Sequence, residues 1–185
     1  MPVDPGSLHI RTYPDAVLRR KTGPVPAGED LPGVIGRMFE IMAEEKGIGL
    51  AAPQVGLSWR LFVLDVPKPE EDDDAAPYPP GLPTHSQGRM VFLNPVLSNP
   101  SGIPEPEKEG CLSLPRISGE VIRPPVITVT AQDAHGKQFT LTATGLLARC
   151  IQHENDHLDG VLILDRMTQM SRIKNRAAIR DLERE

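Results

Sequence analysis

The sequence TGLLARCIQHENDHLDG, residues 144–160, decides the fold prediction because three different stripes run along it at helical spacing. Thr144 is suited to cap the start of a helix, and Gly160 is suited to end one. Two stripes mix apolar residues with histidine or glutamate, and only the third is wholly polar, so we predict a central helix over 145–159 with two faces turned inward. The stripes are Leu146/Cys150/His153/His157, Leu147/Ile151/Glu154/Leu158 and Arg149/Gln152/Asp156/Asp159.

The same helix carries the pattern His-Glu-x-x-His at residues 153–157. Histidines four residues apart lie on one face, a turn apart, where both imidazoles can hold one metal ion. Glu154 is turned by about 100° from His153, so it can reach a water at the metal without being a ligand. The alternative is a chance pattern on a polar helix face, and the apolar Leu146 and Cys150 on the histidine stripe argue against it. The helix therefore predicts a catalytic metal site.

A third ligand has to come from outside the helix, because a catalytic site of this kind takes three protein ligands and keeps one position open. Cys111 stands in EGCLSLP (109–115), a segment bounded by glycine and proline. Taken alone, such a cysteine is more often a packed small residue than a ligand. Asp165, downstream of the helix, is the best alternative. The residues by themselves leave both candidates open.

The remainder of the chain alternates helical and β-branched patterns and contains no internal repeat. This arrangement indicates one α+β domain over residues 1–185, with mostly antiparallel sheets packed around the central helix. The predicted elements are an amphipathic helix over 31–45 that stops at Gly47, strands over 60–66 and 90–97, a β-hairpin of 126–133 and 138–144 with its turn at His135-Gly136, and a surface helix at about 166–185.

Residues 67–88 (PKPEEDDDAAPYPPGLPTHSQG) form an acidic segment with six prolines. A segment of this composition cannot pack a core. We therefore predict a long exposed loop that is dispensable for chemistry.

Composition narrows the class of protein further. The net charge of −5 argues against a general binder of nucleic acid or of membrane surfaces. No apolar run is long enough to span a bilayer, and the first residues do not form a signal peptide. With only two cysteines, Cys111 and Cys150, these features predict a cytoplasmic protein whose cysteines are free thiols or metal ligands.

Three segments taken together resemble the signature segments of the peptide deformylase family. They are GIGLAAPQVG (47–56), EGCLSLP (109–115) and QHENDHLDG (152–160), in the family's order and at suitable separations. The N-terminal YPDAVLRR (13–20) is also similar. The departures are the long insertion 67–88 and Arg149, which stands on the metal helix where other members can be apolar. We expect neither departure to affect the catalytic residues.

The resemblance implies a metal-dependent hydrolase that removes the N-formyl group from the formyl-methionine of new polypeptides and releases formate. Cys111, His153 and His157 would hold one divalent metal ion, with Fe(II) first and nickel, cobalt or zinc as alternatives. Glu154 would act as general base and then general acid. The side-chain amide of Gln54 and the backbone N–H of Leu112 would stabilise the oxyanion. The substrate-binding residues would be Ile48, Gly49, Glu109, Gly110, Leu146 and Cys150.

Two other classes of protein compete with this interpretation. A zincin-like metallopeptidase shares the His-Glu-x-x-His pattern but does not need the EGCLS or GIGLAAPQ segments. A non-catalytic, ribosome-associated binder would have no use for Glu154 as a base.

The C-terminal helix suggests a further partner. Residues 166–185 contain six basic and three acidic side chains on an acidic molecule. Some deformylases use such a helix to sit near the ribosomal exit tunnel, so ribosome docking stands beside the simpler interpretation of a solvated helix face.

Overall fold

The computed structural model describes residues 2–69 and 79–184 and has an α+β fold, as predicted. The strands are β1 (Gly49–Ala51), β2 (Leu61–Leu64), β3 (Met90–Ser101), β4 (Glu105–Gly110), β5 (Ser118–Arg123), β6 (Val126–Gln132) and β7 (Gln138–Thr144). The helices are α1 (Leu31–Glu44), α2 (Gly145–Leu158), α3 (Ile163–Arg166) and α4 (Gln169–Leu182). One antiparallel sheet has the order β1-β2-β3-β6-β7, and β4 and β5 form a separate two-stranded sheet. Helix α2 packs against the larger sheet.

Helix α1 confirms the predicted amphipathic helix, with one difference at its end. It begins after Asp30, whose side chain accepts a hydrogen bond from the backbone N–H of Gly33. The left-handed turn at the other end is made by Lys46, with φ of 56°, and not by Gly47. Gly47 is needed for a different reason, because a Cβ there would lie 2.9 Å from the Leu112 side chain. This glycine lets the EGCLS segment approach closely.

Helix α2 begins and ends where predicted, but Thr144 does not cap it with its side chain. The Thr144 hydroxyl donates to the Pro125 carbonyl. The backbone N–H of Leu147, in the first turn, donates instead to the carbonyl of Thr84 at 3.0 Å. Gly160 follows the helix with φ of 72°, and a Cβ there would lie 2.5 Å from the carbonyl oxygen of Arg19. Glycine is therefore required at this position for two reasons, the positive φ and the close approach of the Arg19 carbonyl.

Three of the four residues on the wholly polar stripe of α2 are buried and Asp159 is exposed, so the prediction that only two faces turn inward is wrong. Arg149, Gln152 and Asp156 are each less than a tenth exposed. The charges of Arg149 and Asp156 are matched by Glu109 and Arg123 on the β4–β5 sheet. A polar face can be buried when each charge has a partner, and these partners come from distant parts of the sequence.

The β4–β5 hairpin is absent from the sequence-based predictions. Strand β4 is mostly exposed, and Glu109 is its only buried residue. Strand β5 alternates more regularly, with Gly119, Val121 and Arg123 turned inward. Because β4 ends at Gly110, the hairpin places Cys111 directly after a strand that lies beside the metal helix.

The segment 67–88 is only partly the exposed loop that we predicted. Residues 70–78 lie outside the described residues. Near its end, Ser86 is buried and its hydroxyl accepts a hydrogen bond from the Val66 backbone N–H at 2.9 Å. The carbonyls of Pro83 and Thr84 accept bonds from the start of α2. Residues 83–86 therefore support the metal helix, and the expectation of a wholly exposed loop is wrong for them. That the segment is dispensable for chemistry stays a prediction.

The C-terminal helix predicted at about 166–185 corresponds to α4 (Gln169–Leu182), and a separate short helix, α3, precedes it. Helix α4 begins after Thr168, whose hydroxyl caps it by accepting a hydrogen bond from the Ser171 backbone N–H. Helix α4 packs on β5, where Asn175 donates to the Ser118 carbonyl at 2.8 Å. Within the described ranges, no helix has the length and apolar character needed to cross a membrane.

Candidate metal centre

Three side chains that can bind a metal meet at the junction of α2 and the β4–β5 hairpin. Ligand atoms of Cys111, His153 and His157 all lie within 4.8 Å of one another. The Nε2 atom of His157 is 3.3 Å from the Cys111 sulfur and 3.3 Å from Nε2 of His153. One sulfur and two imidazole nitrogens form the three-ligand set of a catalytic site. The structure thus brings together the cysteine and the two histidines that the sequence could only place separately.

Asp165, the alternative third ligand, is engaged elsewhere. Its carboxylate pairs with Arg19 and accepts a hydrogen bond from the Leu162 backbone N–H. It does not belong to the Cys111/His153/His157 group. The choice that the sequence left open therefore falls on Cys111.

The ring of His153 is held by a buried carboxylate. Nδ1 of His153 lies 3.0 Å from Oε2 of Glu109. This contact occupies Nδ1 and leaves Nε2 facing the other ligands, as in many metal sites where a carboxylate orients a histidine. Burial alone would raise the pKa of Glu109, but hydrogen bonds from His153 and Arg123, together with their positive charges, hold it at about 2. Glu109 is therefore ionised and fully occupied, and it is not an ordinary surface charge.

Two arginines hold Glu109 in turn. Arg123 donates to both carboxylate oxygens, at 2.6 and 3.0 Å, and Arg149 donates to Oε1 at 2.8 Å. Arg123 also donates to Asp156 at 2.8 Å. The expectation that Arg149 has no bearing on the catalytic residues is therefore wrong. Sequence reasoning missed Arg123 and Asp156 as well. The signal that could have found Arg123 was the alternation along β5.

Glu154 is buried beside the ligands. Its carboxylate oxygen Oε1 lies only 2.5 Å from where a Cβ on Gly49 would stand, so only glycine fits at that position. Burial raises the pKa of Glu154 to about 7, with the charge of His153 opposing the shift and that of Glu109 adding to it. Burial also lowers the pKa of His157, which keeps this imidazole in the neutral form that binds a metal.

The orientation of the Gln54 amide follows from its contacts. Oε1 accepts a hydrogen bond from the Ala51 backbone N–H at 2.8 Å. The amide NH₂ is therefore turned the other way, toward the sulfur of Cys111 at 3.5 Å and the hydroxyl of Ser113 at 3.3 Å. Ser113 is a contact that the sequence did not indicate. The donor end of Gln54 thus faces the metal centre.

A cavity of about 680 Å³ opens next to these groups. It is lined by every site residue that the sequence predicted except His157, which is buried. Cys150 and Ile48 meet in its wall, with the Cys150 sulfur 3.8 Å from the Ile48 carbonyl. Both cysteines are free. The donor set and the neutral His157 fit a divalent metal ion.

Comparison with known proteins gives a consistent result. The family model for polypeptide deformylase matches residues 7–173. The peptide deformylase of Acidobacterium capsulatum is 40% identical over 176 residues, which cover 95% of each chain. That of Opitutus terrae is 44% identical over 184 residues, covering 94% of this chain and 89% of the relative. A crystal structure of the Plasmodium falciparum peptide deformylase superposes with a TM-score of 0.81 at 36% identity and covers 95% of both chains.

An α+β fold that joins a cysteine to the two histidines of His-Glu-x-x-His, with a buried glutamate beside them, defines a metal-dependent hydrolase. The chain belongs to the polypeptide deformylase family. The predicted activity, removal of an N-terminal formyl group, is confirmed. The metallopeptidase and the non-catalytic binder are set aside.

Proposed function

We propose that the chain hydrolyses the formyl amide of formyl-methionine at the start of new polypeptides, with Cys111, His153 and His157 as the metal ligands. The observation that carries this proposal is the grouping of the three ligand atoms within 4.8 Å, next to a cavity that Glu154 lines. We take the metal to be Fe(II), with nickel, cobalt or zinc as substitutes. A bound divalent cation would supply Lewis acidity, which lowers the pKa of water and polarises the formyl oxygen.

Glu154 is the proton carrier in this proposal. Its pKa of about 7 suits a group that must accept and release a proton near neutral pH. The carboxylate takes a proton from the attacking water and then gives it to the departing amine. Oε2 of Glu154 is buried and has no partner among residues 2–69 and 79–184, so this oxygen is available for the transfer.

Gln54 and Leu112 supply the donors for the developing oxyanion. The Gln54 amide is already oriented by its bond from Ala51, so no reorganisation is needed when charge develops. The backbone N–H of Leu112 follows Cys111 directly and is the second donor. One donor of this kind typically contributes about 2.7–4 kcal/mol to transition-state stabilisation.

The substrate peptide would bind as an added strand. Strand β1 lies at the edge of the five-stranded sheet, and among residues 2–69 and 79–184 it pairs with β2 alone. Its other edge can therefore accept hydrogen bonds from an extended peptide. Gly49 and Gly110 allow the peptide to approach, while Ile48, Leu146 and Cys150 form the side-chain pocket. For Glu109, whose carboxylate is fully occupied, we now propose a role in orienting His153 in place of substrate binding.

Formate release from formyl-Met-Ala-Ser by the metal-loaded protein tests the function directly. We expect turnover of this peptide and much slower turnover of acetyl-Met-Ala-Ser, because an acetyl carbonyl is bulkier and less electrophilic than a formyl carbonyl. The metal-free protein should be inactive and should recover on addition of Fe(II) under anaerobic conditions. Equal hydrolysis of an internal peptide bond would point back to a metallopeptidase.

The pocket predicts a preference for an unbranched apolar first side chain. Its wall is built from Ile48, Leu146 and Cys150. A buried CH₂ group contributes about 0.8 kcal/mol, so trimming formyl-Met to formyl-Ala should cost roughly 2 kcal/mol, about 30-fold in kcat/KM. The measurement is a series of formyl-Xaa-Ala-Ser peptides under one set of conditions. Formyl-Asp or formyl-Lys peptides that react as fast as formyl-Met would refute the assignment of this pocket.

Helix α4 is proposed to dock on the ribosome. Arg172, Arg176 and Arg180 are exposed, share one face of the helix and line a surface groove with Ile173 and Ile179. Such a row of cations suits a phosphate backbone. Because α4 also holds β5, charge removal is a cleaner test than deletion of the helix.

Changing all three arginines to glutamine is expected to weaken co-sedimentation with ribosomes in a salt-dependent way, while small-peptide turnover is unchanged. Each lost phosphate contact should reduce the slope of the salt dependence by about one. The matched control removes three exposed charges elsewhere: Arg20, Lys21 and Lys137. Equal co-sedimentation of the two triple variants at low salt would exclude docking through α4.

A cytoplasmic location is also proposed. It is supported by the two free cysteines, since thiols persist in a reducing compartment. Fractionation of cells that carry the tagged chain would test it.

A further inference from the structure

We propose that Arg149 is a positioning residue of the metal centre. It holds Glu109 against His153, and it holds the β4–β5 hairpin, with Cys111 at its end, against helix α2. The inference rests on the proposed ligand roles of Cys111 and His153.

The hydrogen bonds and the ion pair of the Arg149 side chain join α2 to the β4–β5 hairpin. Nη1 donates to Oε1 of Glu109 at 2.8 Å and to the carbonyl of Val121 at 2.9 Å. Nη2 donates to the carbonyl of Glu105 at 3.1 Å. Nε forms an ion pair with Glu107 at 3.0 Å. One buried guanidinium thus ties the metal helix to both strands of the sheet that precedes the cysteine.

The contact with Glu109 completes the support of a metal ligand. Oε1 of Glu109 accepts from both Arg123 and Arg149, while Oε2 accepts from Arg123 and faces Nδ1 of His153. Arg123 is shared with Asp156 and cannot serve Glu109 alone. Arg149 therefore adds a second charged donor to the oxygen that does not face the histidine. Charge-assisted bonds of this kind fix the orientation of a carboxylate.

Only one of the two histidines has a side-chain partner that fixes the orientation of its ring. His153 has its carboxylate partner, whereas Nδ1 of His157 is buried without a partner in the described part of the chain. Orientation of the imidazole pair by outer contacts therefore depends on Glu109. A change at Arg149 should act on metal binding through Glu109 and not only on the stability of the fold.

The test compares cobalt-substituted proteins by their Co(II) dissociation constant, measured in competition with a chelator, and by their absorption spectrum. Loss of an outer partner of a metal ligand typically costs 10- to 100-fold in affinity. We expect Arg149→Met to weaken Co(II) binding by up to about 10-fold, the lower end of this range because Arg149 acts on the ligand through Glu109, and to shift the sulfur-to-cobalt band. The matched control is Glu107→Gln, which removes one partner of Arg149 and leaves Glu109 untouched. It should stay within about twofold, since a half-exposed ion pair contributes little.

A purely structural role would give a different pattern. Arg149→Met would then lower the melting temperature, while the Co(II) affinity and spectrum of the folded protein stayed native, and that result overturns the proposal. In a Glu109→Gln background, Arg149→Met should add a smaller loss of affinity than it causes in the unmodified protein, because the path through Glu109 is already broken and only the contacts to the hairpin remain; fully additive losses also overturn the proposal.

A second variant covers the case in which Arg149→Met does not fold. Arg149→Lys keeps the buried positive charge but loses the planar guanidinium and its fixed set of donors. Its Co(II) affinity and absorption spectrum are measured in the same way. Weaker cobalt binding supports the proposal, and native affinity with a native spectrum overturns it. These measurements require no turnover, so they are independent of formate release by the unmodified enzyme.

Discussion

Glu154→Ala is expected to retain its metal and to release formate 10²- to 10⁴-fold more slowly than the unmodified protein, the usual contribution of general acid–base catalysis. The carboxylate lies beside the ligands without belonging to the ligand group, so the metal should remain. No arginine or lysine pairs with Glu154 among the described ion pairs, so its removal leaves no buried charge uncompensated. Metal content, melting temperature and formate release are measured on the same preparation.

Glu154→Gln is the matched control for shape. It fills the same space against Gly49 but cannot accept a proton, so it should be as slow as the alanine variant. A folded, metal-loaded Glu154→Ala protein with near-normal formate release would show that another group carries the proton.

Cys111→Ala is expected to lose its metal and, with it, its activity. The variant removes one of the three proposed ligands and the only sulfur among them. Removing a residue that only contacts a metal ligand typically lowers metal affinity 10- to 100-fold. Removing a ligand itself should therefore lower it more than about 100-fold. The readout is metal per chain after gel filtration in the presence of a weak chelator.

Cys150→Ala serves as the control, because Cys150 is the other thiol of the chain and lies in the cavity wall outside the ligand group. This variant should keep its metal. One tightly bound metal per Cys111→Ala chain would contradict the proposed ligand set. Asp165 could not explain that result, because it is bound to Arg19 and to the backbone of Leu162.

Elements with strong periodicity could be predicted from the sequence. The apolar spacing of α1, the stripes of α2 and the β-branched runs of β6 and β7 each depend on neighbours within one element, so local patterns are sufficient. The i, i+4 pair His153 and His157 falls in the same group. Cys111 was harder, because its nearness to the histidines depends on the whole fold.

Features that depend on distant charges could not be predicted in this way. Strand β4, with the sequence EPEKEG, lacks the β-branched residues that mark a strand, and its pairing with β5 decides its structure. Arg149 and Asp156 look like solvent-facing residues until Arg123 and Glu109 are placed next to them. A polar stripe on a helix indicates which residues need a partner. It does not indicate whether that partner is water or another charged side chain.

The three proposed ligands lie on two different parts of the fold, and this has a thermodynamic consequence. Cys111 extends from the two-stranded hairpin, while both histidines belong to the helix that packs on the five-stranded sheet. A cation shared by all three therefore acts as a crosslink between two layers. An ion that binds only the docked state stabilises it by about 2.7 kcal/mol when present at a hundred times its dissociation constant. The coupling is reciprocal, so hairpin docking and metal affinity rise and fall together.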